Sequence, residues 1–122
     1  TGGAGQDPAA EAVDVNGVKL LIKRYDDTEI KGLRAILDRL RDRLDSGIIV
    51  IGGAKDGKAS LLVSVSKDLV DRYNAGKLVS ALAAMVGGKG GGRPDSAQGG
   101  GPDVGAIDDA LAAAQEWISS QS

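Results

Sequence analysis

Ile48-Ile49-Val50-Ile51-Gly52-Gly53 is a run of β-branched residues closed by two glycines, the composition of a strand buried on both faces of a sheet. Asp56-Gly57 follows as a tight turn, and Leu61-Leu62-Val63-Ser64-Val65-Ser66 reads as the hairpin partner. A strand buried on both faces needs cover on each side, so the flanking segments must supply helices.

Working outward, they do. Upstream, Ile30, Leu33, Leu37, Leu40 and Leu44 recur at intervals of three and four, which predicts one apolar helical face between Thr28 and Gly47. Asp26, Asp27 and Thr28 offer oxygens to cap its start, and Gly47 is suited to a left-handed position at its end. Arg34, Asp38, Arg41 and Asp45 form an i, i+4 ladder and read as a solvated face of weak ion pairs, with a phosphate-binding helix as the less favoured reading. Before this helix, Val13 and Val15, the dipeptide Asn16-Gly17 and the run Val18 to Tyr25 predict a second hairpin. Thr1 to Ala12 shows no period and reads as a flexible leader, leaving 13–122 as one globular domain.

Downstream, Lys67 to Tyr73 predicts one helical turn, broken at Asn74-Ala75-Gly76. Leu78, Val79, Leu82, Ala83 and Val86 then form an apolar helical face that must stop at Gly87-Gly88. A last helix runs from Asp103 or Val104 to Ser120 on Ile107, Leu111, Ala114 and Ile118; Trp117 beside that stripe reads as packing rather than base stacking. The expected architecture is an α/β (α+β) domain, with one mixed β-sheet of about five strands packed against three main helices.

Composition excludes much chemistry. The 122 residues contain no His and no Cys, which removes Ser-His-Asp and Cys-His nucleophile systems, disulfides and the usual zinc ligands. The net charge of −2 denies the domain the strongly basic character typical of nucleic-acid binders. No stretch approaches the ~18 consecutive apolar residues of a membrane span, so no membrane partner is expected. The lack of cysteine agrees with a reducing compartment and a cytoplasmic setting.

Nineteen residues are glycine, and eight of them fall between Gly87 and Asp103. A plain linker would not need the Lys89, Arg93, Gln98 and Pro94-Asp95 of this stretch. Two readings stay open. Glycines permit close passage of backbone over a sheet, and they also expose successive N–H groups that can wrap phosphate oxygens, with Lys89 and Arg93 adding charge at the rim. The spacing fits neither a Walker A loop nor a dinucleotide fingerprint.

Asn74-Ala75-Gly76-Lys77-Leu78-Val79 followed by Val86-Gly87-Gly88-Lys89-Gly90-Gly91-Gly92-Arg93-Pro94-Asp95-Ser96-Ala97-Gln98 resembles the C-terminal globular domain of the alanyl-tRNA synthetase family. The likeness continues through Leu111, Ala112 and Trp117. In that family the region is related to the DHH-associated domain of phosphoesterases, which carry Gly-Gly-Gly-His; here Arg93 stands in place of the histidine. The resemblance implies a noncatalytic appendage of a class II alanine-tRNA ligase. The parent would use ATP and Mg for aminoacylation and a zinc in a separate editing domain, with no cofactor in this piece. It also implies contact with the outer corner, or elbow, of tRNA, help in coupling aminoacylation to editing, and the remaining domains of the synthetase as partners.

Lys89, Gly90, Gly91, Gly92 and Arg93 are the expected tRNA-binding loop, with Lys55, Lys58 and Lys77 in support. The local charge is +2 over Gly87 to Pro94 and +2 over Ser46 to Lys67. Three aromatic side chains are too few for a single-strand stacking module, but a folded RNA corner asks for basic groups and exposed amides instead. Two other readings compete. In one, the domain is a structural or homodimerisation module, joined through the first or last helix, whose glycine loop only packs. In the other, it binds nucleotide or phosphate as DHH phosphoesterases do.

Overall fold

The Ile48 run lies at the heart of the fold as strand β3. The computed structural model describes residues 11–121. Within them, β1 (Val13–Val15), β2 (Val18–Arg24), α1 (Ile30–Arg43), β3 (Ile48–Lys55), β4 (Lys58–Val65), α2 (Ala75–Met85), β5 (Lys89–Gly92), β6 (Ser96–Gly101) and α3 (Ile107–Ser120) follow in order. Short 3-10 turns at Lys67–Leu69 and Val104–Ala106 precede α2 and α3. The strands form one six-stranded sheet in the order β1-β2-β3-β4-β6-β5. β2 and β3 pair in parallel across the α1 connection, and the other neighbours are antiparallel.

Alternation along β3 explains the layering. Ile48 and Val50 join a core with Leu61 and Val63 of β4, Leu78, Val79 and Leu82 of α2, and Ile107, Leu111 and Ile118 of α3. Ile49 and Ile51 point the other way, into a second core with Leu62 of β4 and Leu33 and Leu37 of α1. A strand with residues of period two facing two helical layers must be apolar throughout, and Ile48 to Ile51 are all buried. Trp117 packs half-buried against the α2/α3 core, as its position predicts. Residues 1–10 of the expected leader lie outside the described residues; Ala12 packs against the α1-side core and Glu11 ion-pairs with Lys23.

Both hairpin turns follow their sequence. Asn16 and Gly17 have φ of 54° and 81°, and Asp56 and Gly57 have φ of 53° and 76°, the paired positive values that two-residue hairpin loops require.

Helix ends depart from the sequence reading in three places. Glu29, not Asp26, Asp27 or Thr28, holds the N-cap of α1, and no side chain caps it. Asp26 is drawn instead to the Ala54 N–H at 2.9 Å and the Arg24 guanidinium at 2.9 Å, which tie the β2–α1 turn to β3. At the other end, α1 stops at Arg43 with Leu44 extended. Gly47 therefore does no capping; a Cβ there would lie 2.7 Å from the Lys19 carbonyl oxygen of β2. The Lys67–Leu69 turn does end before Asn74-Ala75-Gly76, but the same residues also start α2, with the Asn74 side chain accepting the Lys77 N–H at 3.0 Å.

The glycine stretch holds the largest departure. It is a β-hairpin, not a loop: Lys89 to Gly92 pair with Ala97 to Gly100, and β6 pairs in turn with β4 from Ala59 to Ser64.

Candidate functional site

Placing glycines in strands leaves an unusual sheet surface. β4 sets its two faces: Ala59, Leu61 and Val63 join the α2/α3 core, whereas Leu62 faces α1. The register carries this alternation outward, since Leu62 pairs with Gln98 and Gln98 with Gly91. Gln98, Gly91, Lys89, Ser60 and Lys58 therefore share the α1 side.

On the opposite side the glycines serve packing. A Cβ on Gly90 would sit 3.3 Å from Val79 Cγ1, and one on Gly99 would sit 3.2 Å from Ala83 Cβ, so their absence lets α2 lie close on the hairpin. A Cβ on Gly91 would meet nothing within 4 Å. Gly91 is thus open to solvent, and its small size is not demanded by any neighbour.

The predicted residues gather around this hairpin but not on one face. Lys89 and Gly90 to Gly92 form the edge strand itself, and Arg93 follows with its side chain 82% exposed, in a loose 3.9 Å contact with Asp95. Lys58 opens β4 and borders the Gly99–Gly101 surface together with Ile30 and Pro102. Lys55 sits at the β3–β4 turn, 3.9 Å from Asp56. Lys77 lies across the strand edge, in a groove formed by α2 with Gly90, Gly91 and Gly92.

Two further residues border the candidate site, and the sequence reading places both on a solvated ladder with a phosphate-binding helix as the less favoured alternative. Arg34 and Arg41 of α1 join Asp38, Gly91, Gly92, Arg93, Ser96 and Gln98 around a cleft of ≈ 420 Å³ between the helix and the hairpin. Arg34 does not pair along the helix as an i, i+4 ladder suggests; its Nε donates to Gln98 Oε1 at 2.9 Å, and Nη2 donates to the same oxygen. Arg41 keeps a loose 3.9 Å contact with Asp38. Arg34, Arg41 and Arg93 line this cleft with Asp38, and Asp95 lies 3.9 Å from Arg93, which leaves a small excess of positive charge on this side of the glycine surface. The signal available in the sequence was the seven-residue spacing of Arg34 and Arg41, two turns on one face, but it gave no hint of the partner strand.

Among the described residues no group of acidic side chains is arranged to hold a metal ion, and no helix is long and apolar enough to cross a membrane. The arrangement suits an extended anion that lies flat on backbone, held by arginine and lysine at the margin.

Comparison with known proteins places the chain by family and fold. The DHHA1 domain family model matches residues 17–120. Alanine-tRNA ligase of Thiobacillus denitrificans is 48% identical over 118 residues, covering 97% of this chain and 14% of the relative, so the chain spans about one seventh of that protein's length. The crystal structure of the C-Ala domain from Aquifex aeolicus alanyl-tRNA synthetase superposes with a TM-score of 0.81 at 30% identity, covering 88% of this chain and 97% of that one. A pGpG-specific phosphodiesterase from Vibrio cholerae shares the fold, with a TM-score of 0.52 at 19% identity over 91% of this chain and 36% of that one.

Proposed function

The chain belongs to the DHHA1 domain family, in the branch of the alanyl-tRNA synthetase C-Ala domains, and from that membership we propose that it is the noncatalytic tRNA-binding C-terminal domain of an alanine-tRNA ligase. It contacts the outer corner of tRNA and thereby helps couple aminoacylation to editing in the parent enzyme. The observation that carries this reading is the solvent-open Gly91 in an edge strand that begins at Lys89 and leads into Arg93, with Lys58 bordering the adjoining Gly99–Gly101 surface. Sugar-phosphate backbone can approach such a surface closely because no side chain intervenes, and the cations neutralise it.

Catalysis belongs to other domains in this reading. On that reading the ATP, Mg and zinc of the parent are held by its other domains, which fits a chain without His or Cys to serve as zinc ligands. A phosphoesterase role is disfavoured because the resemblance sets Arg93 where DHH phosphoesterases carry the histidine of Gly-Gly-Gly-His, and a guanidinium stays charged at neutral pH and cannot exchange a proton as an imidazole does. A homodimerisation role is the weaker alternative, since the large apolar side chains exposed among the described residues are Val13 and Met85, too few for a stable interface core.

Titration of tRNA(Ala) with the wild type and with a Lys89→Ala, Arg93→Ala double variant tests the proposal. Binding by the wild type is expected to be weak given the net charge of −2, to fall with salt as phosphate contacts are screened, and to be lost in the variant while its melting temperature is unchanged. Equal binding by both proteins would remove the hairpin from the interface. Sedimentation of the free domain as a concentration-dependent dimer, with no tRNA binding at low salt, would favour the structural alternative.

A further inference from the structure

We infer that Arg34 and Arg41 of α1, with Arg93, form a grip for successive phosphodiesters of a folded RNA strand, and that Gln98 positions Arg34 without discharging it. The inference rests on the tRNA-binding reading and deepens it, by extending the contact surface from the hairpin to a helix and by naming the RNA group held there.

The Arg34–Gln98 pair carries the argument. A guanidinium has five N–H donors, and Gln98 Oε1 takes two of them, from Nε and Nη2. A neutral amide oxygen fixes the orientation of the fork and leaves its full charge in place. A carboxylate at the same position would fix it equally well but cancel the charge. Among the described residues no carboxylate forms an ion pair with Arg34.

Gln98 is also the long side chain in a strand that is otherwise Ser96, Ala97 and three glycines, and the register directs it toward α1. Arg41, two turns further along the same helical face, stands about 10.5 Å from Arg34 along the axis. It lines the same cleft, with Arg93 across from it. Asp38 stands 3.9 Å from Arg41 and Asp95 3.9 Å from Arg93, so the three arginines of the cleft keep an excess of one positive charge, centred on Arg34, which an anionic ligand would neutralise. Arginine suits that ligand because its fork binds phosphate oxygens in pairs.

Fluorescence anisotropy with labelled tRNA(Ala), read across a series of KCl concentrations, tests the grip. Arg34→Ala and Arg41→Ala should each weaken binding several-fold and lower the salt slope by about one. Arg39→Ala removes the same charge from the far side of α1 and should leave both quantities unchanged. Gln98→Glu should reproduce the Arg34→Ala effect with an unchanged melting temperature, and Arg34→Lys should fall between wild type and Arg34→Ala.

Normal binding by Arg34→Ala and Arg41→Ala, with loss only in the Lys89/Arg93 double variant, would overturn the grip and leave the hairpin reading intact. An equal loss in Arg39→Ala would reduce the effect to net charge and overturn it as well. Absence of tRNA binding by the wild type at low salt would remove both. Displacement of tRNA by inorganic phosphate beyond that caused by chloride at matched ionic strength would point to an isolated anion site and overturn the assignment to an RNA strand.

Discussion

A Cβ placed on Gly88 would lie 1.8 Å from the carbonyl oxygen of Gly100. Both atoms belong to the junction where α2 hands the chain to the glycine hairpin, and neither is the movable end of a side chain. Gly88 also donates its N–H to the Ala83 carbonyl oxygen at 2.9 Å, closing the end of α2. Gly88→Ala must therefore shift either the helix end or β6. Its expected cost is about 3 kcal/mol, a large share of a small domain's stability, and chemical denaturation of the two proteins measures it.

Gly91 gives the opposite expectation. With nothing within 4 Å of its would-be Cβ, Gly91→Ala should change stability by less than about 0.5 kcal/mol, the range of ordinary surface substitutions. If backbone at Gly91 touches RNA, the same methyl group should weaken tRNA binding. A variant that melts like the wild type and binds tRNA equally well would show that Gly91 is outside the contact.

These two glycines mark the boundary of what the sequence discloses. The β3 run, both hairpin turns and the apolar faces of all three helices are legible because burial on a known face imposes a period. The glycine hairpin is not. Glycine has poor intrinsic strand propensity, and β5 and β6 exist because β6 inserts between β4 and β5 and α2 closes over them, a long-range arrangement that no local pattern encodes. The candidate site is half legible for the same reason. Lys89 and Arg93 stand out against their glycine neighbours, whereas Arg34 reaches the hairpin through its contact with Gln98, 64 residues away. Read locally, Arg34 fits an ordinary solvated ladder.

Asn74 opens α2 beneath the hairpin, and its side chain accepts the Lys77 N–H at 3.0 Å. The adjacent Ala75 N–H is donated to the Pro94 carbonyl oxygen at 2.8 Å, so the helix start and the β5–β6 turn are joined. Loss of the cap in Asn74→Ala should cost about 1 kcal/mol, and Asn74→Asp should retain most of it. Amide hydrogen exchange provides the check: protection should fall first in the opening turn of α2 and at the Arg93–Ser96 turn. Exchange that is unchanged there would mean that the cap does not hold the hairpin.

Acid should weaken the fold through two aspartates. The Arg24 guanidinium, and next the Ala54 N–H, hold the Asp26 carboxyl below its ordinary value. Hydrogen bonds from the Ser46 and Ser66 hydroxyls do the same for Asp68. Because both values are depressed in the folded state, the unfolded chain binds more protons as pH falls, and stability drops with it. The contribution is fully present above the unfolded aspartate value of about 3.9 and is lost as pH falls through the lower folded values. Melting temperatures measured from about pH 6 down to pH 2 should therefore decline most steeply below about pH 4. Asp26→Asn and Asp68→Asn should each start lower at neutral pH and show a shallower decline, with the double variant the flattest. A wild type and double variant that fall in parallel would place the acid sensitivity in other carboxylates.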